Sequence, residues 1–115
     1  MTASSNTKQS LAIAVLTFRR QDELAALIPL LLDQADAVAQ NVDAYVLVVD
    51  NDPGRSAEPV IANYGDDRVV YAHEPEPGIA TARNRALATA HDTDLLVFID
   101  DDEIPAADWL KNLLG

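Results

Sequence analysis

The segment LLVFIDDDEIP, residues 95–105, joins an apolar run directly to a row of acids. The run 95–99 has no polar position, which is typical of a strand buried on both faces of a parallel sheet covered by helices. The acids at 100–103 are adjacent like charges in a chain whose formal net charge is already -11. Because their mutual repulsion opposes folding, the segment indicates a buried strand that ends in a functional site.

Three other apolar segments and four helical patterns complete the predicted fold. The predicted strands are 11–18, 44–49, 68–73 and 95–99. The predicted helices are 21–40, 56–65, 78–91 and 105–114. Pro29 is expected to kink or split the first helix, and Pro105 is expected in the first turn of the last. The alternation of strands and helices predicts an α/β fold with a parallel sheet.

The predicted strands all continue into polar or charged tails. These tails are TFRR (17–20), DNDPG (50–54), HEPEPG (73–78) and DDDE (100–103). In parallel α/β sheets, ligands bind outside the carboxyl ends of the strands. We therefore expect the four tails to meet and to form a binding site.

The composition limits the class of protein. With 19 Asp and Glu against 8 Lys and Arg, the chain repels a phosphate backbone, so no nucleic-acid partner is expected. The chain has no cysteine, which excludes disulfides and thiolate metal sites and favours a reducing, cytoplasmic location. The longest apolar run, 24–32, is about half of the ~20 residues that span a bilayer, so no membrane span is expected. Residues 1–10 are polar and are expected to form a disordered tail before one domain at 11–115.

Asp100, Asp101 and Asp102 are candidate ligands of a divalent cation. A bound cation removes the repulsion among adjacent carboxylates, and a set of oxygen ligands selects Mg²⁺, Mn²⁺ or Ca²⁺ rather than zinc. The alternative is a solvated acidic loop that precedes a helix.

Asp50 also ends a predicted strand. Its carboxylate is placed to accept an N–H from a nucleotide base, and Asn51 and Asp52 are placed to reach a ribose. The alternative is a turn at 52–54, because Asn, Asp, Pro and Gly are the residues that turns prefer.

Gly78 opens a predicted helix and lets a ligand approach the backbone at a helix end that favours anions. Arg83 and Arg85 follow on the same helix. They are either partners of a phosphate or carboxylate, or ordinary surface residues.

The four tails, with the residues around them, resemble a known family when they are taken in chain order. The segments TFRR, VVDND, PGIATARNRA and FIDDDEIPAADWL resemble the amino-terminal half of family 2 glycosyltransferases of the GT-A fold. PGIATARNRA followed by FIDDDEIP is most similar to exopolysaccharide glycosyltransferases of the succinoglycan type. The resemblance covers about 11–114 and implies a Rossmann-like sheet with strand order 3-2-1-4.

The resemblance implies that this part of the fold binds a nucleotide-sugar donor, with UDP as the nucleotide. Asp50 would accept the uracil N3–H. The other residues implied at the nucleotide are Thr17, Phe18, Arg19, Asp52, Gly78, Arg83, Asp100 and Asp101.

The resemblance also implies a metal, because the acids 100–102 match the family's D-x-D motif. Asp102 would hold Mn²⁺ or Mg²⁺, and Asp100 or Asp101 would reach the ribose or complete the metal shell. The metal would stabilise charge on the leaving diphosphate while a saccharide acceptor attacks with inversion.

Family members continue into an acceptor-binding half that carries the catalytic base, and no carboxylate of this chain matches that base. We therefore expect a truncated chain that binds the donor and holds no catalytic residue. We also expect self-association, because the strand 95–99 would then be a sheet edge with unpaired backbone groups.

Two alternatives remain from the residues. A signalling receiver domain holds Mg²⁺ at acidic strand ends, but it needs an acidic pair where this chain has TFRR, and Lys111 is poorly placed for its late lysine. A nucleotidyltransferase needs a glycine-rich loop after the first strand, and this chain has none there.

Overall fold

A computed structural model describes residues 8–115 and shows a four-stranded parallel sheet with helices on both faces. The strands are β1 (Gln9–Thr17), β2 (Val42–Asp50), β3 (Val69–His73) and β4 (Leu95–Asp100). The helices are α1 (Gln21–Ala37), α2 (Glu58–Tyr64), α3 (Ile79–Thr89) and α4 (Trp109–Leu114). The strand order is β3-β2-β1-β4, which confirms both the α/β class and the expected order 3-2-1-4.

The central strand β1 separates two apolar layers, because its successive side chains point to opposite faces. Leu11, Ile13 and Val15 pack against the apolar stripe of α1. Ala12 and Ala14 face the other layer, where α3 contributes small residues, among them Ala82 and Ala86. Small side chains on both sides allow α3 to lie close to the sheet, and this places the first turn of α3 beside the end of β1.

Helix α1 continues past Pro29, which corrects the expectation of a split helix. A proline in a helix leaves the carbonyl four residues earlier without its N–H partner. Here that residue is Ala25, which is exposed, so water can satisfy its carbonyl. The apolar stripe of α1 faces the core, because Leu24, Ile28 and Leu31, spaced three and four residues apart, are fully buried.

Two predicted boundaries are corrected. Helix α4 begins at Trp109 rather than at Pro105, and the residues between them form turns and irregular backbone. Gln9 and Ser10 belong to β1 and not to the predicted tail, because Gln9 pairs with Val42 and the Ser10 N–H donates to Asp94 Oδ2 at 2.8 Å. In the remainder of the predicted tail, Lys8 is exposed and has no regular secondary structure, and residues 1–7 lie outside the described residues.

Strand β4 is an edge of the sheet within residues 8–115, since only β1 pairs with it there. Its face towards α3 is open at Phe98, which is 38% exposed. The guanidinium of Arg83 lies 5.6 Å from the centroid of the Phe98 ring and is the one cation–π partner found for it. An exposed edge of this kind is a template for pairing with another chain.

We therefore keep the prediction that copies of the chain associate through β4. Phe98→Lys should raise the dimer dissociation constant by at least about tenfold, since a charge on an edge strand opposes pairing. Val70→Lys is the matched control, because Val70 is 37% exposed on the opposite edge strand β3. Sedimentation equilibrium measures both variants, and an unmutated chain that stays monomeric at high concentration would refute the prediction.

Candidate functional site

A pocket of about 330 Å³ lies at the carboxyl end of β1, where the predicted strand tails meet. Its walls come from the end of β1 and the loop after it, the first turn of α3, the end of β2 and the loop after β4. The lining residues are Leu16, Thr17, Phe18, Arg20, Asn51, Ile79, Ala82 and Asp101. Three of the four predicted tails, those after β1, β2 and β4, therefore meet at this pocket.

Thr17 and Asp101 join β1 to the acidic loop at the pocket wall. The Thr17 hydroxyl donates to Asp101 Oδ2 at 3.0 Å, and both residues are buried. Burial raises the pKa of Asp101, while the Thr17 hydrogen bond and the charge of Arg20 oppose this shift. Arg20 stands near the acids without a hydrogen bond, with Nε 3.7 Å from Asp101 Oδ1 and Nη1 3.8 Å from Asp102 Oδ2. Asp101 is thus a partly desolvated carboxylate that faces a ligand-sized pocket.

Asp50 is withdrawn from the pocket, so its predicted role as acceptor of a base N–H is contradicted by its surroundings. The residue is 0% exposed. Its Oδ2 accepts hydrogen bonds from the Ala57 N–H at 2.9 Å and the Tyr71 hydroxyl at 2.8 Å. Its Oδ1 accepts the Asp52 N–H at 3.1 Å. Burial and the bond to Asp50 both raise the pKa of Tyr71, so this phenol stays a donor.

Asp52 forms the turn that the sequence left as the alternative. Its carboxylate accepts the N–H groups of Gly54 at 3.1 Å and Ser56 at 3.3 Å. Contacts with Ser56 and Gly54, and to a lesser extent with Arg19, lower the pKa of Asp52 to about 2. Asp52 Oδ1 also accepts the Arg19 Nε–H at 3.2 Å, so Asp52 supports Arg19 and does not line the pocket.

Phe18 and Arg19 lie at the exposed rim of the pocket. Phe18 lines the pocket, and the guanidinium of Arg19 lies 5.0 Å from the centroid of its ring. Arg19 has a backbone φ of 54°, a left-handed conformation that non-glycine residues adopt rarely. The bond from Arg19 to Asp52 helps to hold this loop in place.

Asn51 occupies the pocket wall, although the sequence gave it only a secondary role. Its Nδ2 donates to the carbonyls of Glu74 at 3.0 Å and Glu76 at 2.7 Å, and its Oδ1 accepts the Gly78 N–H at 3.0 Å. Both amide N–H groups are thereby used within the chain. The partners in these bonds are two carbonyls and one N–H of a loop that lies 23 to 27 residues away along the chain. Because of this separation, no local sequence pattern could have predicted the bonds.

Gly78 caps α3, as predicted, and its φ of 131° explains why glycine stands there. Space is not the reason, since the nearest atom to an added Cβ would be Thr81 Oγ1 at 3.7 Å. The conformation is one that residues with a side chain avoid.

Arg83 and Arg85 do not line the pocket, although the resemblance implied a place near the nucleotide for Arg83. In a helix of about 3.6 residues per turn, Ile79 and Ala82 take the pocket side, and Arg83 follows on the neighbouring side above Phe98. Arg85 turns towards the loop before α3, where its Nε lies 3.1 Å from Glu74 Oε1.

Among the acids at 100–103, the exposed carboxylates of Asp100, Asp102 and Glu103 offer oxygen ligands, but they do not form a complete metal site. Within residues 8–115, no group of three or more His, Cys, Asp or Glu is arranged to hold a metal ion. Glu103 folds back to accept the Asp100 N–H at 3.0 Å, which leaves Asp100 and the half-exposed side chain of Asp102 free to point outwards. Mg²⁺ commonly binds through one or two carboxylates together with substrate phosphates and water. The residues therefore fit an ion that arrives with a diphosphate.

Comparisons with known proteins show the family of the chain. A family model described as Glycosyl transferase family 2 matches residues 12–115. The chain belongs to glycosyl transferase family 2. The match supports neither the receiver domain nor the nucleotidyltransferase that the residues had left open.

One curated protein and one solved structure are similar to this family 2 chain. Succinoglycan biosynthesis protein ExoM of Rhizobium meliloti (strain 1021) is 36% identical over 105 residues, which cover 89% of this chain and 33% of ExoM. The chain thus spans about a third of the length of this curated relative. A solved structure, described as "Crystal Structure of a Mycobacterial Protein", superposes with a TM-score of 0.65 at 21% identity and covers 96% of this chain and 38% of its own. At that identity the likeness shows the fold alone.

None of the helices between residues 8 and 115 combines the length and the hydrophobicity needed to cross a membrane.

The burial of Asp50 predicts an effect on folding. Asp50→Ala leaves three donors without their acceptor, and each buried unsatisfied group costs about 1–3 kcal/mol, so the free energy of unfolding should fall by at least about 2 kcal/mol. Urea denaturation measures this loss, and Asp43→Ala at an exposed position of the same strand is the control. A variant as stable as the control would mean that the Asp50 carboxylate is not held as described.

The depressed pKa of Asp52 predicts a pH dependence. Its pKa falls from 3.8 to about 2 on folding, so the ionised group stabilises the fold above pH 3.8 and this contribution is lost as the pH falls through about 2. The cost of Asp52→Asn, measured by urea unfolding against the unmutated chain, should therefore be largest near pH 5 and shrink towards pH 2. Asp67→Asn at an exposed position is the control. A cost for Asp52→Asn that does not change with pH would show that its charge is not stabilised.

Proposed function

We propose that this chain binds the donor in a glycosyltransferase that moves a sugar from a nucleotide-diphosphate sugar, with UDP as the nucleotide, to a saccharide acceptor. The observation that carries the proposal is the pocket at the end of β1, which the acidic loop after β4 borders in a family 2 chain. The name of ExoM supports a role in exopolysaccharide synthesis for this chain too.

The pocket suits a nucleoside. Its volume of about 330 Å³ falls within the ~300–1,000 Å³ of small-molecule sites. Phe18 and Ile79 are exposed apolar side chains on its walls, and we propose that the base lies between them. Asp101 and Thr17 are the polar groups within reach of a base N–H or a ribose hydroxyl.

The diphosphate is proposed to lie on the acidic side of the pocket. Asp102 and Asp100 would hold Mn²⁺ or Mg²⁺, and the bound ion would neutralise charge on the diphosphate as the glycosidic bond breaks. Arg20 already stands near Asp101 and Asp102, and Arg83 lies above Phe98, on the face of β4 that Asp100 shares by strand alternation. We propose these two arginines as neighbours of the phosphates.

Inversion at the anomeric carbon, the saccharide acceptor and a cytoplasmic location are further parts of the proposal. We assign none of the described residues as the catalytic base. Asp101 is held by the Thr17 hydroxyl at the nucleotide side, and Glu103 is turned back onto its own loop.

The proposal predicts metal-dependent binding of UDP. Calorimetry should give an affinity at least about tenfold higher with Mn²⁺ than with EDTA, because the ion joins the carboxylates to the diphosphate. Asp102→Ala should abolish this difference. Asp92→Ala removes the same charge from an exposed position before β4 and should preserve it. Equal affinity for UDP in Mn²⁺ and in EDTA would overturn the metal's role, and no binding under either condition would overturn donor binding.

A further inference from the structure

The loop between β3 and α3 has few backbone N–H groups, and most of them donate to side chains. Residues 74–78 are EPEPG, and the two prolines provide no backbone N–H. The three remaining N–H groups are all used: Glu74 donates to the Asp50 carbonyl at 2.9 Å, Glu76 to Glu74 Oε2 at 3.0 Å, and Gly78 to Asn51 Oδ1 at 3.0 Å. The shape of the loop therefore depends on a few side-chain bonds rather than on regular secondary structure.

Asn51 makes most of these side-chain bonds. Its Nδ2 donates to the carbonyls of Glu74 and Glu76, and its Oδ1 accepts from Gly78, so one buried amide holds three backbone groups of the loop. The carboxylate of Glu74 adds a second tie to Arg85 on α3 at 3.1 Å. Removing the Asn51 amide would leave two carbonyls and one N–H without their partners.

Asn51 also connects the two walls of the pocket. Its backbone N–H donates to the Thr17 carbonyl at 2.8 Å, which fixes it to the end of β1. Its side chain fixes the Gly78 N–H, and α3 starts at the next residue with Ile79 and then Ala82 on the pocket wall. In addition to the packing of α3 on the sheet, Asn51 thus links Thr17 to the start of α3 through two hydrogen bonds.

We propose that Asn51 is a positioning residue for the nucleotide donor, which it serves through the loop 74–78 and not as a donor to the ligand. The inference rests on the proposed function, since it concerns how tightly the same pocket binds UDP. Both N–H groups of the amide are already bonded within the chain, so the earlier expectation that Asn51 reaches a ribose is replaced by this role.

Asn51→Asp separates the two roles because it keeps the size of the side chain. An aspartate would keep an oxygen near the Gly78 N–H, but its second oxygen would face two carbonyls that need a donor, and this repulsion would loosen the loop and its bond to Gly78. If Asn51 only offered an acceptor to the ligand, Asn51→Asp would bind UDP as tightly as the unmutated chain or more tightly. If it holds the loop, the same substitution weakens binding.

The experiment compares the full chain with Asn51→Asp, Asn51→Ala and the control Asn63→Ala, which changes an exposed residue of α2. Calorimetry with UDP and Mn²⁺ should show a loss of at least about tenfold in affinity for both Asn51 variants and none for the control. Hydrogen exchange by NMR should show the Gly78 amide exchanging at least about tenfold faster in both Asn51 variants. The Gly65 amide, bonded to the Ile61 carbonyl at 3.2 Å, is the internal reference and should not change.

The outcomes separate this inference from the proposed function. An unmutated chain that binds no UDP overturns both. An unmutated chain that binds UDP, together with Asn51→Asp at full affinity, overturns the inference alone. Faster Gly78 exchange with unchanged UDP affinity also overturns it, because Asn51 would then hold the loop without affecting the pocket. Loss of the fold in both variants, seen by circular dichroism, would overturn it by making the role of Asn51 global.

Discussion

Three consecutive polar residues at the end of β2 are buried, and each must find its hydrogen-bond partners inside the protein. The carboxylate of Asp50 accepts hydrogen bonds from the Ala57 N–H, before α2, and from the Tyr71 hydroxyl on β3. Asn51 finds them at Thr17 and in the loop before α3. Because an unsatisfied buried polar group is costly, this requirement ties the ends of β1, β2 and β3 to the starts of α2 and α3. The geometry of the pocket follows from these ties.

The acids at the ends of β2 and β4 consequently have different environments. Those after β2 point inwards, where Asp50 and Asp52 accept internal N–H groups and organise the turn. Those after β4 remain available, because the half-exposed Asp102 has only a distant contact with Arg20, and Asp101 keeps one oxygen outside its bond to Thr17. An acidic protein can bind an anionic diphosphate under these conditions if a cation joins the two. The acids at the strand ends thus serve folding on one side of the pocket and, in the function that we propose, ligand binding on the other.

The sequence was sufficient for the layout of the fold and for the end of the sheet at which the pocket lies. Apolar runs as clear as LLVFI and the stripe of α1 made the strands and the first helix recognisable, and the resemblance of the motifs supplied the strand order. It was insufficient to predict that Asp50 turns inwards, because the groups that donate to its carboxylate belong to Ala57 and Tyr71, 7 and 21 residues away. It was also insufficient for Arg83, whose direction depends on how α3 rotates over the sheet to bury Ala82 and Ala86. Local composition identifies a polar strand end, but it does not tell which polar side chains turn inwards.

We propose above all that a nucleoside diphosphate occupies the pocket between the end of β1 and the first turn of α3. Backbone NMR spectra recorded during a titration with UDP and Mg²⁺ test this claim. Binding in the pocket should give the largest amide shifts at Thr17, Ile79 and Asp101, with little change at the opposite end of the sheet around Val42 and Lys111. The groove beside α1 at Glu23, Leu30 and Ile104 provides a second place where a ligand could bind. Shifts concentrated in that groove, with Thr17 and Ile79 unaffected, would contradict the claim.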